Sequence, residues 1–317
     1  MVSVIRVARK SSVLTPSSLA CLSHIPTINL TAGCALGCVY CYTVGYSSHP
    51  GDEKVVVYGN TLEKLRAELA RKRTLPRAVF FSSASDLFQP LPDVLELGYQ
   101  ILEFLFSEGI GVVFLTKGHI PDDTFRLLLS HADMVRAQIG ITTLDESISR
   151  VFEPNAANPT VRLEQIAALI AGGIPTRARL DPVLPGLTDT PDDLHLLFSA
   201  LVQAGVRHIA AGLLFLRPGI LESLNRNVPD KKMLQRTLGW YRGSERLAIR
   251  AVNSTVEALP QATRVEIFKS IRLAAEEAGI DLSICACKNP DLASGTCGIG
   301  GAWSQRFRHG AEPRLFD

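Results

Sequence analysis

The chain has 317 residues, a length that suits one large α/β domain or two small ones with an ample apolar core. The 33 Lys and Arg residues nearly balance the 31 Asp and Glu residues, and a net charge of +2 provides no general field for nucleic acid or an anionic membrane. Hydrophobic residues make up 46% and charged residues 20% of the chain, which excludes a mostly disordered protein. No apolar run approaches the roughly 18 residues that a membrane-spanning helix needs, so no membrane partner is expected.

Residues 1–26 are predicted to form a basic N-terminal arm. Arg6, Arg9 and Lys10 lie among serines, and the first acidic residue is Asp52. This composition is found in transit peptides, but the segment has no apolar stretch of the kind that a secretory signal requires. We therefore expect a short arm on a cytoplasmic protein.

A repeated βα unit is predicted over residues 27–217. Helix-period stretches end at a Gly that is followed by Ile or Val, for example at Gly109 and Gly173, as expected where a helix stops and a buried strand begins. Six strands are predicted, at 27–30, 78–82, 111–115, 135–142, 175–181 and 208–215. Helices are predicted to begin near Asn60, Pro92, Pro121, Pro159 and Pro191.

This alternation predicts an α/β fold, because strands that alternate with helices pair in parallel. We expect a partial (β/α)6 TIM-like barrel at 27–217, with a doubly wound open sheet as the alternative. Residues 218–317 are predicted to form a mostly helical, cysteine-containing extension whose best helix is 261–278. In either arrangement the active site is expected at the carboxyl ends of the strands.

The seven cysteines are unevenly placed. One triplet is Cys34, Cys38 and Cys41, a second is Cys285, Cys287 and Cys297, and Cys21 stands alone. An odd number in two tight triplets indicates metal ligation in a reducing compartment rather than disulfide bonds.

Three thiolates of the first triplet, in the pattern CxxxCxxC, can converge on one inorganic core. Gly33 and Gly37 permit the backbone turns that such wrapping requires. Iron–sulfur cubanes normally take four cysteines, so three leave one iron with open coordination. Zinc is the alternative, but it usually takes four ligands in two pairs, and this loop offers neither the fourth ligand nor the pairing.

The spacing, with an aromatic residue before the last cysteine, resembles the radical S-adenosylmethionine (SAM) superfamily. The resemblance implies an enzyme with the barrel fold, a [4Fe–4S] cluster on Cys34, Cys38 and Cys41, and SAM on the open iron. Reductive cleavage of SAM would give a 5′-deoxyadenosyl radical that abstracts hydrogen from a substrate. It also implies an electron donor such as flavodoxin or ferredoxin, and leaves open whether the enzyme is a lyase or a transferase.

Within the superfamily the sequence is similar to the spore photoproduct lyase branch. Tyrosines flank Cys41 on both sides, and Ser85-Asp86 matches a Ser-Asp pair that lies near SAM in the lyase. The hydrogen-donor cysteine of the lyase falls on Ser83. A serine O–H bond is too strong to give a hydrogen atom to a carbon radical, so the resemblance argues against repair by the lyase's own route.

The resemblance also implies roles for single residues. Lys117, at a strand end, is expected to meet the SAM carboxylate, although it could equally be a solvated loop lysine. Arg179 either contacts SAM or pairs with Asp181, which faces the same side of the strand. The full set of expected SAM contacts is Tyr40, Ser85, Asp86, Lys117, Thr142 and Arg179. Tyr42 and Ser83 are expected to be catalytic residues that face the space in which the radical meets the substrate.

A second metal site is predicted at Cys285, Cys287 and Cys297, which follow the best C-terminal helix and lie among glycines. Three ligands again suggest a cubane with one open position, and hence a second iron–sulfur cluster. Zinc with a fourth ligand from elsewhere, or free buried thiols, are the alternatives. Cys21 is expected to be a free thiol.

The substrate is left open by the sequence. Aromatic and arginine residues alternate at 240–250 and 303–316, a composition that can stack bases and meet phosphates. A nucleic-acid or nucleobase substrate is therefore considered, by analogy with the lyase. A peptide or small-molecule substrate, or a non-catalytic iron–sulfur binding protein, are the alternatives.

Overall fold

The computed structural model describes residues 2–17, 22–51, 53–249, 254–295, 297–298 and 303. Cys21, Arg250 and the basic, aromatic tail after Trp303 lie outside these ranges. Across the described ranges, no helix combines the length and apolar character needed to cross a membrane.

The described strands, in chain order, are β1 (Ser3–Val7), β2 (Thr27–Ile28), β3 (Thr31–Ala32), β4 (Lys54–Tyr58), β5 (Ala78–Phe81), β6 (Gly111–Thr116), β7 (Val135–Gly140), β8 (Thr176–Val183), β9 (His208–Leu213), β10 (Glu245–Ile249), β11 (Ser254–Ala258) and β12 (Asp281–Ile284). The described α-helices are α1 (Thr61–Ala70), α2 (Pro92–Ser107), α3 (Asp122–Ser130), α4 (Glu146–Phe152), α5 (Pro159–Ala171), α6 (Pro191–Gln203), α7 (Pro218–Asn227), α8 (Lys231–Leu238) and α9 (Gln261–Glu277).

Seven strands form one parallel sheet in the order β12-β9-β8-β7-β6-β5-β2. From β2 to β12 the order follows the sequence without reversal. A doubly wound sheet would reverse at a switch point, so this alternative is wrong and the predicted partial barrel is confirmed. The six predicted strands are β2 and β5 to β9. The C-terminal extension adds a seventh, β12, which pairs with β9.

Local sequence explains where the helices begin. The Thr190 hydroxyl accepts from the Asp193 amide at 3.3 Å at the start of α6, and the Asn158 side chain accepts from the Thr160 amide at 2.9 Å at the start of α5. Asn60 stands at the N-cap position of α1, as predicted, but its side chain makes no capping hydrogen bond. Its side-chain oxygen instead accepts from the Arg9 amide at 2.7 Å, which fastens the N-terminal segment to the barrel.

A small second sheet has the order β1-β4-β3, with β1 parallel to β4 and β3 antiparallel to it. Strand β1 lies within the segment predicted as an arm, so that segment begins with a strand. The sheet places β3, which leads directly into the first cysteine triplet, beside the main barrel. The boundaries predicted at residues 26 and 217 stay predictions.

The barrel lumen is filled from the C-terminal part of the chain. Phe80 and Val113, paired across β5 and β6, pack with Cys297 in a buried apolar cluster. Trp303 lies against Gly111 at the amino end of β6, where an added Cβ would be 2.4 Å from its ring. The described C-terminal residues thus form the floor of the barrel.

Candidate functional site

A cavity of about 1340 Å³ opens at the carboxyl ends of the strands. Its wall includes residues of β2, β4 to β8 and β10, and of the loops that follow β3, β5, β9 and β12. Both cysteine triplets line it: Cys34, Cys38, Cys41, Cys285, Cys287 and Cys297. The sequence predicted two separate metal sites, and the structure places both sets of thiols around one chamber.

The first triplet lies on a tightly held loop after β3. Gly33 has φ +79°, and a Cβ there would be 2.5 Å from the Lys54 carbonyl, so the turn requires glycine. The Ala35 amide donates to the Gln89 side chain at 2.9 Å, which fixes the backbone between the first two cysteines. Burial raises the pKa of the Cys38 thiol to about 12 and that of Cys34 well above its usual range. These thiols therefore release protons when a cationic core binds.

A buried charge group adjoins Cys38. Glu153 pairs with Lys117 at 2.9 Å and with Arg162 at 2.5 Å, and the Tyr40 hydroxyl donates to the same carboxylate. Burial opposes ionisation of Glu153, but the two cations outweigh it and lower the pKa of the carboxyl to about 2. The Lys117 ammonium also donates to Tyr40 Oη at 2.7 Å. Lys117 thus lines the cavity but already has an anionic partner.

The loop after β5 brings Tyr42 and Ser83 together. The Tyr42 hydroxyl donates to the Ser83 carbonyl oxygen, and the Asn29 side chain donates to Ser83 Oγ at 3.1 Å. The Ala84 amide donates to the side-chain oxygen of Asn29 at 2.9 Å. Both residues predicted as catalytic therefore sit on one braced segment of the cavity wall.

Ser85 and Asp86 line the cavity differently. Asp86 accepts from the Thr116 hydroxyl at 2.7 Å and from the Phe88 and Lys117 amides, so its carboxylate braces the loop. The Ser85 hydroxyl is buried and has no hydrogen-bond partner among the residues that the structure describes, and the same is true of the Ser82 hydroxyl. A buried hydroxyl on a cavity wall is expected to meet a ligand. Together with the three thiols of the first triplet, which line the same cavity, these are the groups available to hold a cluster and SAM.

A second buried charge group lies on β8. Arg179 donates twice to Asp181, at 2.9 and 2.8 Å, and the Lys288 ammonium donates to the other oxygen of the same carboxylate. Arg179 Nη2 is also 3.6 Å from Cys285 Sγ. Arg179 therefore makes the pairing with Asp181 that the sequence left open. The second neighbour of the Arg179 guanidinium is Cys285 of the C-terminal triplet.

Thr142 lies apart from the other predicted contacts. It is buried just beyond β7 and is not among the residues that line the cavity. Gly140, two residues earlier, does line it, and a Cβ there would be 2.7 Å from Lys117 Cε. The end of β7 thus contributes space for the lysine.

Sequence reasoning missed three braces of the site. Asn29, Gln89 and Lys288 each hold a loop or a charge that borders the cavity. Asn29 and Lys288 come one and four residues after a strand of the parallel sheet. Polar residues just past the carboxyl ends of parallel strands are the signal that could have identified them.

Comparisons with known proteins agree on one family. The sequence model described as the radical SAM superfamily matches residues 28–199. The radical SAM Nα-GlyT isomerase of Pseudomonas phage M6 is 30% identical over 177 residues, covering 56% of this chain and 36% of the phage protein. An uncharacterized Mycobacterium tuberculosis protein is 29% identical over 217 residues, covering 66% of this chain and 64% of its own. The chain thus spans less than two thirds of these relatives.

Solved structures share the fold. Spore photoproduct lyase complexed with dinucleoside spore photoproduct has a TM-score of 0.67 at 16% identity, covering 89% of this chain and 82% of the lyase. Streptococcus suis SuiB bound to SAM has a TM-score of 0.51 at 11% identity, covering 82% of this chain and 51% of SuiB. The fold class and the resemblance predicted from the sequence are confirmed.

Proposed function

Because the chain belongs to the radical SAM superfamily, we propose that it cleaves SAM at a [4Fe–4S] cluster and directs the resulting radical chemistry at a nucleobase or nucleic acid. That the chain is an enzyme with SAM-dependent radical chemistry follows from the family, which leaves open whether it is a lyase or a transferase. The substrate is the proposal's own. One observation supports SAM cleavage at this site. The CxxxCxxC thiols, and two buried hydroxyls that have no partner among the described residues, face one chamber of about 1340 Å³.

When bound, the cluster and SAM supply a 5′-deoxyadenosyl radical that removes a hydrogen atom from the substrate. Cys34, Cys38 and Cys41 would hold the cluster. Glu153, Lys117 and Arg162 together carry one net positive charge beside Cys38, which offsets the negative charge that three thiolates bring to the loop.

The remaining wall residues position ligands. The hydroxyls of Ser82 and Ser85 are free to bond polar groups of SAM. The Lys117 ammonium donates to Tyr40 Oη, Glu153 Oε1 and the Asp181 carbonyl oxygen, so a SAM carboxylate would replace one of these acceptors. Tyr42, held by the Ser83 carbonyl, presents a rigid aromatic face to the chamber. Burial raises the pKa of the Tyr42 hydroxyl far above neutrality, so it stays protonated as a donor.

The lining of the cavity supports an aromatic, anionic substrate. Tyr42 and Tyr46 make an edge-to-face pair with ring centroids 5.8 Å apart, a surface on which a base can stack. Cationic lining residues outnumber acidic ones by five to three: Lys54, Lys117, Arg150, Arg179 and Lys288 against Glu53, Asp86 and Asp181. The dinucleoside bound by the lyase that shares the fold points to the same substrate class.

Two further cofactor assignments belong to the proposal. The reductive step needs a low-potential electron donor, for which we propose a flavodoxin or ferredoxin. The C-terminal triplet, which lines the same chamber, is proposed to bind a second iron–sulfur cluster.

The test is anaerobic reconstitution with iron and sulfide, followed by dithionite, SAM and quantification of 5′-deoxyadenosine. We expect formation in the wild type, a faster rate with added oligonucleotide, and none in Cys38→Ala, which lacks one cluster ligand. Deuterium carried from a labelled oligonucleotide into 5′-deoxyadenosine would identify the substrate. Formation by Cys38→Ala would refute the SAM assignment. No response to any oligonucleotide would refute the nucleic-acid substrate and favour a peptide or small molecule.

A further inference from the structure

The Asn29 side chain makes two hydrogen bonds to the loop that follows β5. Its oxygen Oδ1 accepts from the Ala84 amide at 2.9 Å, and its nitrogen Nδ2 donates to Ser83 Oγ at 3.1 Å. The carbonyl oxygen of Asn29 in turn accepts from the Arg9 guanidinium. Asn29 is therefore held at its backbone and at both ends of its side-chain amide, on the wall of the chamber.

The contact with the Ala84 amide fixes the direction of the Asn29 side chain. A backbone N–H only donates, so the atom that faces it must be the Asn29 oxygen. The amino group of Asn29 then faces Ser83 Oγ. Because this amino group also only donates, Ser83 Oγ must act as its acceptor.

The Ser83 hydroxyl consequently keeps its own proton for another partner. A serine hydroxyl has one proton to donate and two acceptor positions, and Asn29 uses one of the acceptor positions. Tyr42 donates to the carbonyl oxygen of Ser83, not to its hydroxyl. Within the described part of the chain no acceptor takes the Ser83 proton. Because Ser83 lines the chamber, the hydroxyl presents a donor to a molecule bound there.

We infer that Asn29 is a positioning residue that sets the Ser83 hydroxyl as a hydrogen-bond donor, and that this donor binds an acceptor atom of the substrate. Under the proposed function, on which the inference rests, the acceptor is a carbonyl oxygen or ring nitrogen on the edge of a nucleobase. A base stacked on the Tyr42 ring has its edge near Ser83, because the Tyr42 hydroxyl is bound to the Ser83 carbonyl. A site that donates to a ligand rejects analogues that lack the acceptor, so the pair contributes to specificity.

Asn29→Asp inverts the polarity of Ser83 with almost no change of shape. One carboxylate oxygen of the new aspartate still accepts from the Ala84 amide. The other oxygen replaces Nδ2 opposite Ser83 Oγ and takes the hydroxyl proton, so Ser83 then presents only acceptor positions to the chamber. Ser83→Ala removes the hydroxyl instead, and the double variant Asn29→Asp/Ser83→Ala combines the two changes.

The measurement is the rate of 5′-deoxyadenosine formation by the reconstituted enzyme against the concentration of a short single-stranded DNA of mixed sequence. Ser83→Ala should raise the half-saturating DNA concentration by about two- to tenfold, the effect of one lost hydrogen bond. Asn29→Asp should raise it by more than about tenfold, because two acceptors then face each other. The double variant should match Ser83→Ala, since without the hydroxyl no polarity remains to invert.

The double variant separates this role from two simpler ones. If Asn29 only stabilised the loop, or if the new carboxylate only repelled DNA, the double variant would bind DNA more weakly than Ser83→Ala. Asn227→Asp is the matched control, because Asn227 also lines the chamber and donates to a serine, Ser223 Oγ, at 3.2 Å. It adds the same charge elsewhere and should change the half-saturating concentration by less than about twofold.

The affinity for SAM alone, from anaerobic calorimetry, identifies the ligand that receives the proton. We expect it to be unchanged in Ser83→Ala and in Asn29→Asp. A loss of SAM affinity with an unchanged half-saturating DNA concentration would assign the donor to SAM and overturn the inference. A double variant weaker than Ser83→Ala, or an Asn29→Asp variant equal to the wild type, would also overturn it. A wild type that does not respond to DNA would refute the proposed substrate and the inference together.

Discussion

Replacing Glu153 with Gln tests the buried charge group of Glu153, Lys117 and Arg162 that adjoins the first triplet. The carboxylate holds Lys117 and Arg162 in the interior and has its pKa lowered from 4.5 to about 2. At about 1.36 kcal/mol for each tenfold change in proton affinity, this lowering of the pKa corresponds to about 3 kcal/mol of stability at neutral pH. Removing one partner of a buried ion pair typically costs about 3–5 kcal/mol, which agrees.

The pH dependence supplies a second measurement. Because the pKa is lower in the folded state, the stabilisation is complete above pH 4.5 and is lost as the pH falls towards 2. Urea unfolding followed by circular dichroism should therefore show about 3 kcal/mol less stability in Glu153→Gln at pH 7. The difference between variant and wild type should narrow as the pH falls below 4.5.

Glu146→Gln is the matched control. Glu146 pairs with Arg150 at 3.3 Å, but the two side chains are 48% and 76% exposed. An exposed pair of this kind contributes less than about 1 kcal/mol. A loss below about 1 kcal/mol in Glu153→Gln, or a loss that does not depend on pH, would refute the assigned role.

Two further predictions concern the cavity wall. Ser85→Ala should not lower the free energy of unfolding, because Ser85 Oγ has no partner among the described residues. It should weaken SAM binding by up to about tenfold in anaerobic calorimetry, and unchanged affinity would remove Ser85 from the SAM site. Gly140→Ala should lower the free energy of unfolding in urea by about 1–3 kcal/mol, because the new Cβ would press on Lys117. Gly239→Ala is the control and should be neutral or stabilising, since nothing lies near its Cβ position. Equal effects of the two changes would contradict the packing argument.

The sequence predicted the barrel well because its signals are local. Three of the six predicted strands follow a helix-ending glycine, at Gly109, Gly173 and Gly205, and that pattern needs no knowledge of distant parts of the chain. Strand β1 was not predicted, because all five of its residues are exposed and the strand therefore has no burial pattern. Strand β12 lies in the extension predicted to be mostly helical, and its place beside β9 depends on pairing across the fold.

The site was predicted in part for the same reason. The CxxxCxxC loop is a local motif. The spacing of two between Arg179 and Asp181 places both side chains on one face of a strand, which predicts that they can pair. Lys288 lies 107 positions from Asp181, and no periodicity connects them. That both triplets line one chamber is likewise a property of the whole partial barrel, and no local stretch of sequence shows it.

The floor formed by Cys297 and Trp303 has a consequence for the order of events during synthesis. N-terminal segments emerge from the ribosome first and begin to fold there. The first triplet is translated early, yet the chamber around it lacks its edge strand and its base until residues 281–303 have emerged. A cluster inserted before that point would face open solvent, so insertion into a finished chamber must wait for nearly the whole described chain.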